Sequence, residues 1–187
     1  MPIPGIVASG KLGHLSTNNY TSFQTVTVGS GGASSISFSS IPSTYTHLQI
    51  RGTWRGSASG TGVETYMNFN SDSTSDYISF HQLYGDGSSA VAQYSGGSNT
   101  YIAPSYTVNT SVLANTFSAA IIDIFDYTNT NKNKVTRSLN GWDANGTGYT
   151  ILRSGMWMQT SAINTITFTI NATSFAQYSQ IALYGVK

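Results

Sequence analysis

The sequence predicts an all-β protein, a jelly-roll-like β-sandwich of about eight to ten strands behind an extended N-terminal arm, and three observations carry that expectation. Apolar residues recur with a period of two in run after run, most strictly in Ile166, Phe168 and Ile170 against Thr165, Thr167 and Thr169. Clusters of Gly, Ser, Asn and Asp separate the runs at the short intervals of a sandwich. Composition supplies the third: 19 glycines and 12% aromatic residues favour strands and turns, and charged side chains make up only 8% of the 187 residues, against about 25% in an ordinary soluble domain. Ser, Thr and Asn must therefore meet the water.

Taken in order, residues 1–20 mix Pro2, Pro4, Gly5, Gly10 and Gly13 with small apolar groups and show no period, which defines the arm. Ile3, Ile6, Val7 and Leu12 make it too apolar for a merely solvated tail. It is expected to lie along its own domain or a neighbouring subunit, with a disordered terminus as the alternative. Residues 21–187 form the single sandwich domain. Alternation begins at Phe23 with Val26 and Val28, breaks at Gly29-Ser30-Gly31-Gly32, and resumes with Ile36 and Phe38, the pattern of a hairpin. A third strand spans Tyr45 to Trp54, with Leu48, Ile50, Gly52 and Trp54 opposite His47, Gln49 and Arg51.

Two more runs follow, Val63 to Asn70 and Tyr77 to Tyr84, the latter aligning Ile78, Phe80 and Tyr84. Gly85 to Tyr106 then reads as a long decorated loop with one edge strand at Ala90 to Tyr94. Phe117 to Tyr127 is apolar at both parities, through Ile121, Ile122, Ile124 and Phe125, so burial on both faces is expected. After the turn at Thr128 to Asn133 come strands at Lys134 to Trp142, Tyr149 to Trp157, Thr165 to Ile170 and Gln180 to Val186.

The charge balance narrows function. A net charge of +1, with no clustered Lys or Arg, argues against a nucleic-acid partner, whose binding rests on counterion release. A polybasic membrane contact fails on the same ground. Without cysteine neither a disulfide framework nor a thiolate metal site can form. No stretch approaches the roughly 20 apolar residues of a membrane span, and Met1 to Gly13 lacks a charged start and apolar run. Synthesis in the cytoplasm is the expectation.

Catalysis needs converging ionisable groups, and these are few: His14, His47, His81, Glu64, Asp72, Asp76, Asp86, Asp123, Asp126 and Asp143. Gly56-Ser57-Ala58-Ser59-Gly60 has the wrong spacing for a nucleophile elbow. The chain reads as a non-enzyme with no cofactor and no metal. Asp72-Ser-Thr-Ser-Asp76 lacks the glycine and bidentate acid of a calcium loop, and turn formation accounts for it and for Asp86. His47 and His81 sit opposite the apolar set of their strands, as surface or subunit-contact residues. Asp123 and Asp126 flank the most apolar strand, and one of them is expected to pair with Arg137 or Arg153 across the sheet. Tyr84, Tyr94, Tyr101 and Tyr106 bracket the loop-rich middle, either as a platform on which sugar rings stack or as subunit interface.

Two stretches carry a resemblance. Gly29 to Gly52, GSGGASSISFSSIPSTYTHLQIRG, and Ile166 to Lys187, ITFTINATSFAQYSQIALYGVK, resemble the opening and closing segments of small β-rich virion proteins of tailed bacteriophages, and Phe125-Asp126-Tyr127-Thr128-Asn129 fits the same pattern. Residues 54–116 match nothing. The resemblance implies an oligomeric, non-catalytic particle protein of the decoration, minor tail or fibre type, usually a jelly roll. The expected function is therefore a capsid decoration or cement protein, a homotrimer on the virion. It would contact the major capsid protein or other virion proteins, with the arm at Ile3, Ile6, Val7 and Leu12 clasping a neighbour. The alternative is a tail or fibre receptor-binding module that recognises a host surface glycan through the Gly85 to Tyr106 region.

Overall fold

A computed structural model describes residues 19–187. The arm residues Ile3, Ile6, Val7 and Leu12, and His14, lie outside the described residues. Twelve strands and no helix occur among those described: β1 (Tyr20–Thr27), β2 (Ser35–Phe38), β3 (His47–Trp54), β4 (Gly62–Phe69), β5 (Tyr77–Gly85), β6 (Ala90–Ser95), β7 (Ile102–Val108), β8 (Ser118–Phe125), β9 (Lys134–Asp143), β10 (Gly148–Trp157), β11 (Ile166–Ile170) and β12 (Gln180–Val186). They form two antiparallel sheets, one in the order β1-β12-β3-β8-β9-β10-β5-β6 and one in the order β2-β11-β4-β7.

Setting aside β5, β6, β9 and β10 leaves two four-stranded sheets, β1-β12-β3-β8 and β2-β11-β4-β7. That is the order of a jelly roll, in which the chain crosses between sheets at β1 to β2, β3 to β4, β7 to β8 and β11 to β12. The four remaining strands are two inserted hairpins, both added to the same sheet. One sheet is thereby about 34 Å across and the other about 14 Å, from a strand spacing of about 4.8 Å. The wide sheet overhangs the narrow one.

Burial follows the alternation where it is strict. Ile166, Phe168 and Ile170 of β11 are buried and their threonine neighbours half-buried. The centre is made by Phe38, Ile50, Trp54, Met67, Phe69, Ile122, Ile124 and Phe168, none with accessible surface. Trp54 ties the layers together, its Nε1–H donating to Thr65 Oγ1 of the opposite sheet at 2.9 Å.

The strand β9 inverts the usual pattern. Its Lys134, Thr136, Ser138 and Asn140 point inward and are buried, while Val135 and Leu139 point outward and are about half exposed. The inward polar groups have work there. Strand β7 is the edge of the narrow sheet, and its unpaired backbone would otherwise be buried unsatisfied. Side chains of the facing sheet complete it: Ser138 Oγ donates to the Pro104 carbonyl at 2.6 Å, Asn140 Nδ2 to Tyr106 at 3.0 Å and Arg153 Nη1 to Ala103 at 3.0 Å. The N–H groups of Ala103 and Val108 donate to Ser79 Oγ and Ser118 Oγ.

Several sequence expectations are corrected. The runs around Gly29–Gly32 are not a hairpin: β1 pairs with β12 and β2 with β11, because the glycine turn carries the chain from one sheet to the other. Strand β8 is buried on one face only, with Ile122 and Ile124 inside and Ile121 41% exposed. The supposed loop before Tyr106 contains β7, which hides from period-two reading because it is buried on both faces. Pro104 is tolerated there by the edge position. Ile78 does not share a face with Phe80 and Tyr84, since the register shifts opposite this part of β5 and turns Phe80, Gln82 and Tyr84 inward. The edge strand expected at Ala90 to Tyr94 is present as β6.

Candidate functional site

The overhang creates a groove. Where β10, β5 and β6 run past β7, their inner face has no sheet above it, and the side chains there form a cleft of about 300 Å³. Strand β5 contributes Phe80, Gln82 and Tyr84, β6 Gln93, and β10 Tyr149, Ile151 and Arg153. Glu64 of β4 and Tyr106 of β7 close the side nearest the narrow sheet.

Its rings are held at steep angles. Tyr149 meets Tyr84 at 5.9 Å and 69°, Tyr106 at 6.1 Å and 77°, and Trp142 at 5.5 Å and 70°. Tyr106 is fixed further by donating its hydroxyl to the Gly62 carbonyl at 2.9 Å. At the base lies Arg153, 4% exposed. Its Nε donates to Gln82 Oε1 at 2.9 Å, its Nη2 meets Glu64 Oε1 at 3.3 Å, and its guanidinium covers the Phe80 ring at 4.5 Å. Burial raises the Glu64 carboxyl above its ordinary range, against the pull of Arg153.

The second feature is the outer face of the wide sheet. Cross-strand partners place Ile121 beside Leu139, Leu139 beside Leu152, Leu152 beside Leu83, and Leu83 beside Ala92. Ile121, Leu139, Leu152 and Leu83 are 41–53% exposed, so they form an apolar ridge across strands β8, β9, β10 and β5. One row away, Ala119, Gly141, Thr150 and Gly85 are in register as a furrow of small residues. On the other flank runs a polar row. Gln49 donates to Asp123 at 2.7 Å, Arg137 to Asp123 at 2.9 Å, and His81 stacks on Tyr94 at 4.9 Å.

The expected site residues are distributed between these features. Tyr84 and Tyr106 meet in the groove. Tyr94 stands on the outer face, 68% exposed, and Tyr101 stacks on Tyr66 at 3.7 Å, away from both. Asp123 pairs with Arg137 as expected, whereas Asp126 pairs with Lys132 at 2.6 Å and Arg153 with Glu64. His47 Nδ1 accepts from the Asp126 backbone N–H. Asp72 and Asp76 both hold Thr74 in its turn, and Asp72 also accepts from Trp157 Nε1 at 2.6 Å. Among the described residues no group of three His, Asp or Glu side chains is placed to hold a metal ion.

Asp86 shapes the β5–β6 turn. Its Oδ1 accepts from the backbone N–H of Ser88 at 2.9 Å and of Ser89 at 2.7 Å, and these bonds bring its carboxyl down to about 2. A carboxyl depressed in the folded state contributes fully above its unfolded value of about 3.9 and loses that contribution as pH falls through about 2. The Ser88 and Ser89 amide resonances are therefore expected to titrate with a midpoint near 2; a midpoint at the value of a free carboxylate would show that the turn does not hold the charge.

Sequence reasoning missed Glu64, Gln82, Tyr149 and Arg153, and the ridge. The groove residues come from five strands, and nothing short of the sheet order brings them together. The ridge did leave a signal, in the run Lys-Val-Thr-Arg-Ser-Leu-Asn, whose apolar parity is outward.

Neither a known protein family nor a curated protein matches the chain. Among solved structures, galectin LEC-6 of Caenorhabditis elegans aligns at 9% identity over 92% of this chain and 99% of that one, with a TM-score of 0.33. The catalytic domain of an endo-1,3-beta-glucanase (laminarinase) from Thermotoga petrophila RKU-1 aligns at 10% identity over 81% and 66%, with a TM-score of 0.18. Scores this low carry no argument about ligand or activity, and the fold assignment rests on the strand order itself.

Proposed function

We propose that the chain is a structural subunit of a bacteriophage particle, of the capsid decoration type, held in place by packing against a second copy of itself. The observation that carries the self-packing is the ridge of Ile121, Leu139, Leu152 and Leu83 beside the furrow of Ala119, Gly141, Thr150 and Gly85. A ridge and an adjacent furrow on one surface complement each other about a two-fold axis, so the natural cover is a second copy. With the polar row and the row beyond it, Phe125, Val135, Met156 and Ile78, the face is five strands by four rows, about 24 by 27 Å or about 650 Å² of flat area. With its corrugation this approaches the roughly 800 Å² per partner of a stable interface. The particle assignment rests on the resemblance of Gly29 to Gly52 and Ile166 to Lys187 to phage virion proteins. A chain with only 8% charged residues keeps such contacts insensitive to salt.

Light scattering at micromolar concentration is expected to give the mass of two chains. Leu139→Lys, which places an ammonium in the middle of the ridge, is expected to return it to one chain with an unchanged circular dichroism spectrum. A wild-type mass of one chain removes the pairing, and a mass of three replaces it with a cyclic contact. Quantitative mass spectrometry of purified particles tests the location. Hundreds of copies fit capsid decoration, a dozen or fewer fit the tail, and absence overturns the virion reading.

A further inference from the structure

The groove faces away from the ridge, on the inner side of the overhanging strands, so it stays open when two copies pair through their outer faces. Its chemistry is specific in three respects. The walls are tyrosine rings locked near perpendicular to one another, which offer flat apolar faces at little entropic cost. The polar groups between them are hydrogen-bonding rather than charged overall: the amides of Gln82 and Gln93, which bond each other through Gln82 Nε2 and Gln93 Oε1 and keep their remaining N–H groups to donate, and the Tyr106 oxygen, whose lone pairs remain free to accept while its proton goes to Gly62. Among the described residues the only charges lining it are Arg153 and Glu64, and they neutralise each other at 3.3 Å.

From this geometry we infer that the groove is a binding site for a neutral saccharide, one or two pyranose units in extent. A pyranose presents a C–H face that stacks on an aromatic ring and an edge of hydroxyls that both donate and accept, and the groove supplies the complement of each. Glu64 is 27% exposed and aims a carboxylate at the cleft while Arg153 holds it, so it can accept from a pair of hydroxyls without changing its charge. An anionic ligand such as a sialoside or phosphate finds no free cation among the described residues of the groove, because the guanidinium is already committed to Glu64, Gln82 and the Ala103 carbonyl. A volume of about 300 Å³ lies at the lower end of ligand pockets, which run from roughly 300 to 1,000 Å³. One lining carboxylate, ion-paired, is half of what glycoside cleavage requires, so the site recognises the sugar and leaves it intact. This inference does not depend on the self-packing.

The test is titration of the full chain with the methyl glycosides of glucose, galactose, mannose and N-acetylglucosamine, followed by amide NMR, with N-acetylneuraminic acid as the anionic comparison. At least one neutral glycoside is expected to bind saturably in the millimolar range, shifting the amides of Gln82, Gln93 and Tyr149 and giving the same affinity at low and high salt. Tyr149→Ala and Gln93→Ala are each expected to weaken it by about tenfold or more, while Tyr178→Ala, at an exposed tyrosine outside the groove, leaves it unchanged. Gln93 is exposed on an edge strand, so its variant reports even where Tyr149→Ala fails to fold. Four results overturn the inference: no neutral glycoside binding, shifts that map elsewhere, Gln93→Ala binding like wild type, or preference for the anionic sugar. Release of reducing sugar from a bound disaccharide overturns the claim that the site only recognises.

Discussion

Replacing Trp54 with alanine is expected to cost about 3–5 kcal/mol, about a fifth or more of the roughly 5–15 kcal/mol that holds a domain together. The side chain has no accessible surface, lies in the middle of the sandwich and faces Phe168 of the opposite sheet at 6.4 Å. Removing it empties the largest volume among the side chains with no accessible surface. The loss is compounded at Thr65, itself fully buried, whose hydroxyl oxygen accepts from the indole N–H at 2.9 Å. Trp54→Phe separates the contributions. It keeps much of the volume and strands the Thr65 oxygen, an omission worth about 1–3 kcal/mol. Urea unfolding followed by circular dichroism measures both, with an unchanged denaturant slope confirming that stability alone has moved. A Trp54→Ala loss under about 1 kcal/mol would mean that the site collapses around the gap.

The second large effect is expected from a single added methyl group. Gly52 lies in β3, and a Cβ built there would sit 2.4 Å from the Gln180 carbonyl oxygen and 3.0 Å from Ile181 Cα. Both are backbone atoms of β12, which cannot turn aside as a flexible side chain would. Gly52→Ala must therefore push β12 away from β3 in the middle of the wide sheet, at the upper end of the overpacking range, about 3 kcal/mol. Gly29 is the matched control, since nothing lies within 4 Å of a Cβ at that position. Gly29→Ala is expected to change stability by about 0.5 kcal/mol or less. Parallel thermal melts of the two variants decide the matter, and equal melting temperatures would show that the β3–β12 spacing yields at no cost.

These two predictions also mark what the sequence made legible. Strands with one strict buried parity, such as β3 and β11, could be read directly, because every second residue reports the same environment. Reading failed where burial and polarity part company. Strand β7 is buried on both faces and carries a proline, so it resembled a loop. Strand β9 turns Ser138 and Asn140 inward to satisfy the backbone of β7, a demand visible only once β7 is known to be an uncovered edge. Lys134 was read only as the first residue of a strand, and its charge gave no sign that it is fully buried with its ammonium donating to the carbonyls of Asn129, Lys132 and Thr160. Of the candidate site, the tyrosines at 84 and 106 were visible as aromatic candidates. Their partners Glu64, Tyr149 and Arg153 were not, because the groove exists only through the unequal width of the two sheets.

The place of β12 governs how the domain comes into being. It lies between β1 and β3 and hydrogen-bonds along both its edges, although it is the last of the twelve strands among the described residues. During synthesis β1 and β3 therefore emerge early and wait with open edges until Gln180 to Val186 have been made. Closing so long a loop before any contact rewards it is slow. Folding is accordingly a late and concerted event, and a ribosome that stalls before the final strand leaves two unpaired neighbours exposed to other chains.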